Sequence, residues 1–147
     1  MPSLVVPVED NNIIIPAMVE LPHDYTEESE PESIICKALV DTGAQGTMVS
    51  RRIADQLNPP VIGYGTVEGV TGPAESPIHE LRIIIPTEVE EIDFDGKVSE
   101  RFYFYWGVLR VMILAHEVGE DIDILLGMDM LTRFHITMYR DQVIISS

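Results

Sequence analysis

Apolar positions along the chain gather in short runs rich in β-branched residues, most of them closed by Pro, Gly, Asn or Asp. That pattern predicts strands far more often than helices. Residues 4–8 and 13–20 are two such runs. Pro7 and Pro16 inside them predict edge strands, where a missing backbone N–H leaves no ladder bond unmade. Residues 23–32 carry Asp24, Glu27, Glu28, Glu30 and Glu32 with little apolar content and predict a solvated loop. The run SIICKALV at 33–40 predicts a buried strand.

Helical spacing first appears at residues 50–57. Ser50 is a fitting N-cap, Ile53, Ala54 and Leu57 share a face, and Asn58-Pro59-Pro60 ends the segment. Residues 61–70 and 77–85 bracket Thr71-Gly72-Pro73-Ala74, which predicts the tip of a hairpin. Asp95-Gly96 predicts a second hairpin between residues 88–94 and 97–106. Residues 108–115 and 122–126 are strand-like, and residues 128–134 predict a short helix. Residues 136–139 and 142–145 pair across Arg140-Asp141. About ten short strands and two short helices imply a mainly β architecture with a barrel-like or sandwich core.

Composition narrows the function. At 147 residues, 46% of them hydrophobic, the chain has the length and apolar content of a single domain with its own core. Nine basic against 25 acidic side chains give a formal charge of −16. A surface so acidic repels phosphate backbones and anionic lipid headgroups, which predicts neither nucleic-acid nor membrane partners. Cys36 is the one cysteine, so no internal disulfide or cysteine-built metal cage is expected. A lone thiol fits a reducing compartment, and the first residues lack the basic start and apolar core of a secretory signal. The expected location is cytoplasmic.

The chemistry concentrates in Ala38-Leu39-Val40-Asp41-Thr42-Gly43-Ala44. A carboxylate directly after an apolar strand sits at a corner, held by buried backbone on one side and open on the other. Gly43 removes a Cβ from that corner, and the Thr42 hydroxyl can both donate and accept. Asp-Thr-Gly alone arises by chance in roughly 3% of chains of this length. Downstream, however, Asp123-Ile124-Leu125-Leu126-Gly127-Met128-Asp129-Met130-Leu131 gives an apolar strand, a glycine and a helix start.

The two motifs together resemble the retropepsin-like aspartic proteases. They resemble in particular the retroviral-like protease domain of the DNA-damage-inducible ubiquitin-shuttle proteins, which run apolar-Val-Asp-(Ser/Thr)-Gly-Ala-Gln and later Leu-Leu-Gly-(apolar)-Asp-Met-Leu. The likeness covers most of residues 33–145 and is most specific at its two ends. It implies a mainly β, closed-barrel subunit with one or two short helices and a flap hairpin, working as a symmetric homodimer. Residues 1–147 would form one such domain, with N-terminal strands and the acidic loop at 1–32 and the protease core at 33–147.

The same resemblance assigns roles. Asp41, Thr42 and Gly43 would be the catalytic tripeptide, with Thr42 bracing its counterpart in the partner. Ala44 and Gln45 would line the substrate cleft, and Gly69, Val70, Thr71 and Gly72 would form the flap. Aspartic proteolysis needs two carboxylates sharing a proton, and one Asp-Thr-Gly per chain requires the second Asp41 to come from a second copy. The reaction implied is hydrolysis of a peptide or protein substrate by a water activated between the two carboxylates, with no cofactor and no metal. Residues 4–8 and 142–145 are expected to build an intersubunit sheet. A non-catalytic dimer of this fold, binding peptides or assembling partners, is the alternative reading.

Two departures from the viral pattern stand out. Gln45 and Met128 replace an acidic residue and an arginine that pair in many retroviral enzymes, so both halves of that ion pair are absent together. The span from Asp41 to Gly127 is also longer, with the excess expected around residues 88–120. There Phe102-Tyr103-Phe104-Tyr105-Trp106 is expected to pack in the core or an interface. Other motifs fail. His116-Glu117-Val118-Gly119-Glu120 lacks the second histidine of a zinc helix, and Asp93-Phe94-Asp95-Gly96 places its glycine too early for an EF-hand. Gly63, Gly65 and Gly69 lack the spacing of a dinucleotide fingerprint. His23, His79, His116 and His135 are read as structural or surface residues, and Asp129 as a first-turn carboxylate favoured by the helix dipole.

Overall fold

The chain opens with a hairpin: β1 (Ser3–Glu9) and β2 (Asn12–Glu20) turn through Asp10 and Asn11, both in the left-handed region. Asp and Asn tolerate that conformation, and two such residues in succession match the twist of the flanking strands. This computed structural model describes residues 2–23, 31–69 and 71–147. Residues 24–30, which hold most of the predicted acidic loop, and Val70 of the predicted flap lie outside them.

β3 (Ser33–Val40) leads to Asp41, and β4 (Met48–Val49) follows the intervening loop. Helix α1 (Arg51–Leu57) starts at Ser50, whose hydroxyl accepts from Ile53 N, and ends at left-handed Asn58. It buries Ile53, Ala54 and Leu57, the face expected from spacing. Then come β5 (Val61–Gly69), β6 (Gly72–Ile92) and β7 (Val98–Ile113). The chain closes with β8 (Ile122–Leu126), α2 (Met128–Leu131), β9 (His135–Tyr139) and β10 (Gln142–Ser146).

The ten described strands form one sheet in the order β5-β6-β7-β4-β8-β3-β2-β1-β10-β9. β6 pairs additionally with β2 and β1, so the sheet curls back and its pairings close a ring. Inside it lie Val19, Ala38, Val49, Ile53, Ile83 and Leu126, all essentially inaccessible to solvent. At the centre β8 runs parallel to β3 and antiparallel to β4, which brings the end of β8 beside the end of β3.

Several expectations change. β1 and β2 are not edge strands: β2 lies between β3 on one side and β1 and β6 on the other. Pro16 is accommodated because β1 pairs only as far as Ile13 and β6 starts only at Met18, leaving a gap where an N–H is not needed. β3 is buried on one face only; Ile34, Cys36 and Ala38 point inward while Ile35 is 80% exposed. The strands expected on either side of Pro86 and Gly107 fuse into β6 and β7, which pair continuously from His79↔Val111 to Ile92↔Val98. α2 is shorter than expected. After Leu131 the bonds tighten to Arg133 N–Met130 O and Phe134 N–Leu131 O, and Phe134 packs edge-on against Tyr105.

The terminal strands pair with each other inside one chain, from Ser3↔Ser146 to Pro7↔Gln142. β9 occupies the far side of β10, so β10 has no open edge with which to build a sheet between subunits. The aromatic run at 102–106 is not core: Phe102, Tyr103, Phe104 and Trp106 are exposed, and only Tyr105 packs onto the core.

Candidate active site

Asp41 stands one residue past β3, where its N–H donates to the carbonyl of Leu126, the last residue of β8, at 3.0 Å. The parallel β3–β8 pairing thus continues one step beyond the end of β3 and fixes the backbone of the acid. Its side chain is held as well: Gly43 N donates to Asp41 Oδ1 at 2.8 Å. Gly43 is required for space rather than for an unusual backbone conformation. A Cβ there would stand 3.1 Å from Asp41 Oδ1, a tight contact that the carboxylate would have to relieve by a small shift. Ala44 N closes the turn onto Asp41 O at 3.2 Å.

The loop from Ala44 to Thr47 rests on the start of α2. The first N–H groups of a helix have no partner within the helix. Here Met128 N donates to Ala44 O at 2.8 Å and Asp129 N to Gln45 O at 3.1 Å, so the loop itself caps α2. Thr47, 2% exposed, joins the layers. Its N–H and its hydroxyl donate to the two carboxylate oxygens of Asp129, at 3.0 and 2.7 Å, and its Oγ1 accepts from Gly127 N at 3.1 Å. Gly127 fits because nothing larger can. A Cβ would lie 2.6 Å from the Gly46 carbonyl carbon.

A second carboxylate steadies the other end of the loop. Asp123 on β8 is 6% exposed and accepts from the Ser50 hydroxyl at 2.6 Å and from Arg52 Nε at 3.0 Å, with Arg52 Nη2 on its other oxygen. Burial opposes its charge, yet the hydrogen bonds from Arg52 and Ser50 outweigh burial and hold its carboxyl below the ordinary value. The nearby Cys36 thiol is pushed up to about 12, by burial first and by the Asp123 charge second, against a smaller opposing effect of Arg52. Cys36 is therefore a core side chain rather than a nucleophile.

Asp41, Thr42, Gly43, Ala44 and Gln45 share this one loop, with Thr42, Gly43 and Gln45 exposed. Gly69 ends β5, Thr71 follows in the turn, and Gly72 starts β6 with φ +116. The turn is tighter than expected, since Gly69 pairs directly with Gly72. Among the described residues no hydrogen bond or ion pair joins this hairpin to the Asp41 loop. Thr47 escaped sequence reading, and Asp129 does more than complement a helix dipole. The available signal was a threonine directly before the two apolar residues of β4, with an acid two residues after Gly127. Of the histidines, His79 is structural, with Nδ1 buried 3.1 Å from Pro59 O.

A family model described as aspartyl protease matches residues 34–130, the stretch from β3 through the Asp41 loop to α2. The chain belongs to the aspartyl protease family. Among solved structures it is similar to a retropepsin-like aspartic protease from Rickettsia conorii, with TM-score 0.58 and 17% identity over 97% of this chain and 89% of that one. The likeness at that identity is one of fold, and it makes this a retropepsin-like fold. No curated protein matches the chain at the sequence level. Family and fold together support a protease-type function and leave the ubiquitin-shuttle branch without specific support.

Proposed function

We propose that the protein is an aspartic endopeptidase that works as a homodimer, with Asp41 from each copy forming the catalytic pair. The observation that carries this reading is the fixing of Asp41 at the β3–β8 junction, by backbone through Leu126 O and by side chain through Gly43 N. A carboxylate held so, at the edge of the core and still partly open, is poised to meet a second one across a two-fold axis.

Two carboxylates at contact distance cannot both ionise, so they share one proton. The ionised member takes a proton from a water as that water attacks the scissile carbonyl, while the protonated member hydrogen-bonds to the carbonyl oxygen. Collapse of the tetrahedral intermediate returns a proton to the leaving nitrogen. No covalent intermediate and no cofactor is needed. Thr42, exposed beside Asp41, would bond its counterpart in the partner copy. The peptide would lie extended between the Asp41 loop, with Ala44 and Gln45, and the hairpin tip at Gly69 to Gly72, its side chains alternating between pockets.

The test compares Asp41→Asn with wild type against a pool of unstructured peptides between pH 3 and 7. The expected result is a loss of about 100- to 10,000-fold, because the amide cannot act as a base; that size follows from the contribution of general acid–base catalysis. Equal activity in the two proteins would remove Asp41 from the reaction.

A further inference from the structure

Beyond Glu88 the paired strands β6 and β7 leave the core as a two-stranded ribbon, and the face that runs from its tip back to Trp106 differs from the opposite one. Alternation along β7 places Val98, Glu100, Phe102, Phe104 and Trp106 on one face. Directly opposite them on β6 stand Ile92, Glu90, Glu88, Pro86 and Ile84. Phe102 is 64% exposed, Phe104 57% and Trp106 48%, with Val98 and Ile92 also in solvent. An aromatic side chain carries about 200 Å² of surface, so the three rings alone leave roughly 300 Å² of apolar area open.

Charge separates the faces more sharply. The opposite face balances its charges, with Arg101 bonded to Glu91 at 3.1 Å. On the aromatic face the Arg82 guanidinium lies over the Trp106 ring, 4.6 Å from its centroid, while farther out the charged side chains are all carboxylates, Glu88, Glu90 and Glu100, and none has an ion-pair partner among the described residues. Glu90 and Glu100 sit in direct register. Like charges facing each other across a strand pair destabilise it, and a cation placed between them would remove that penalty.

β7 also has an open side. On its side away from β6 it pairs only with β4, and only at Met112 and Ile113, so among the described residues positions 98–110 present an unpaired backbone edge. An uncovered edge is a template for an added strand.

We propose that the ribbon docks an extended segment of another protein as a further strand on β7. On the aromatic face, that segment carries apolar side chains beside Phe102, Phe104 and Trp106, and lysine or arginine beside Glu100 and Glu90. A second copy of this chain fits poorly, since it would bring another set of the same carboxylates onto the face. An anionic lipid surface is repelled for the same reason.

Trp106 is the one tryptophan of the chain, so its emission reports on this face without a label. The probe is an acetylated, amidated nonapeptide, Leu-Thr-Leu-Thr-Leu-Thr-Lys-Thr-Lys, titrated into the whole protein, with a control carrying Glu for both Lys. The expected result is a saturable blue shift with the Lys peptide and none with the Glu peptide. The Phe102→Ser/Phe104→Ser variant should weaken binding at least tenfold. Glu90→Gln/Glu100→Gln should weaken it several-fold and flatten its salt dependence. Alternate β7 amides between residues 98 and 106 should gain protection from hydrogen exchange in the complex. All four positions are exposed, and unchanged circular dichroism checks that the variants remain folded.

Three outcomes overturn the proposal. One is the absence of a saturable shift. Another is binding to Phe102→Ser/Phe104→Ser as tight as to wild type, which reduces the effect to bulk charge. The third is a wild-type dimer in sedimentation that this variant converts to monomer, which gives the face to a second copy.

Discussion

At Gly127 the nearest atoms to any added side chain are backbone atoms of Gly46, and backbone cannot swing away as a flexible side chain can. Gly127→Ala is therefore expected to cost about 1–3 kcal/mol, the range for overpacking a closed site, and to loosen the loop that carries Asp41. Gly46→Ala is its control: a Cβ at Gly46 meets nothing within 4 Å, so its effect on stability should stay below about 0.5 kcal/mol. Paired thermal melts measure both. Asp123 carries a pH-dependent share of stability. Its folded carboxyl lies below the unfolded value near 3.8, so its contribution is present in full above that value and is lost as pH falls through the lower folded one. Asp123→Ala should cost about 2 kcal/mol at pH 7, as expected for charge-assisted hydrogen bonds, with the gap to wild type narrowing below about pH 4. Urea unfolding at pH 7 and pH 3 reads that gap.

Between elements, the decisive contact joins the loop after β3 to the first turn of α2. Asp129 holds both the N–H and the hydroxyl of Thr47, and the loop carbonyls at Ala44 and Gln45 cap the helix in return. Asp129→Ala should destabilise by about 2 kcal/mol and Thr47→Val by about 1 kcal/mol. The double variant should lose less than the two together, because the hydroxyl–carboxylate bond is counted in each. A double-mutant cycle by urea denaturation checks this. Sequence alone revealed the helix capped by Ser50, the terminal hairpin of β9 and β10, and the Asp41 corner, because each depends on neighbouring residues. It missed the Thr47–Asp129 bridge, which spans residues far apart in the chain. It also split β6 and β7 at Pro86 and Gly107, where long-range pairing overrides the local tendency to break. The prolines of β1 and β2 misled in the same way, since an edge can be local to a gap within an interior strand.

Across the whole molecule, a single chain supplies one fixed carboxylate, and the proposed chemistry needs two. The retropepsin-like fold, with its ring of strand pairings, presents Asp41 at the end of β3 beside the exposed Thr42. β10 lies between β1 and β9, so among the described residues the open edge at this end of the sheet belongs to β9. The described residues contain no helix long and apolar enough to cross a membrane. A charge of −16 opposes close approach of two copies at neutral pH and low salt, a force that salt screens and acid reduces. The most direct measurement mixes wild type with increasing Asp41→Asn protein and follows peptidase activity per wild-type chain after exchange. If the two carboxylates come from two chains, that activity falls in proportion to the wild-type fraction, to about half at equal amounts, because mixed pairs are inactive. Activity per wild-type chain that stays constant as Asp41→Asn is added would contradict the shared pair.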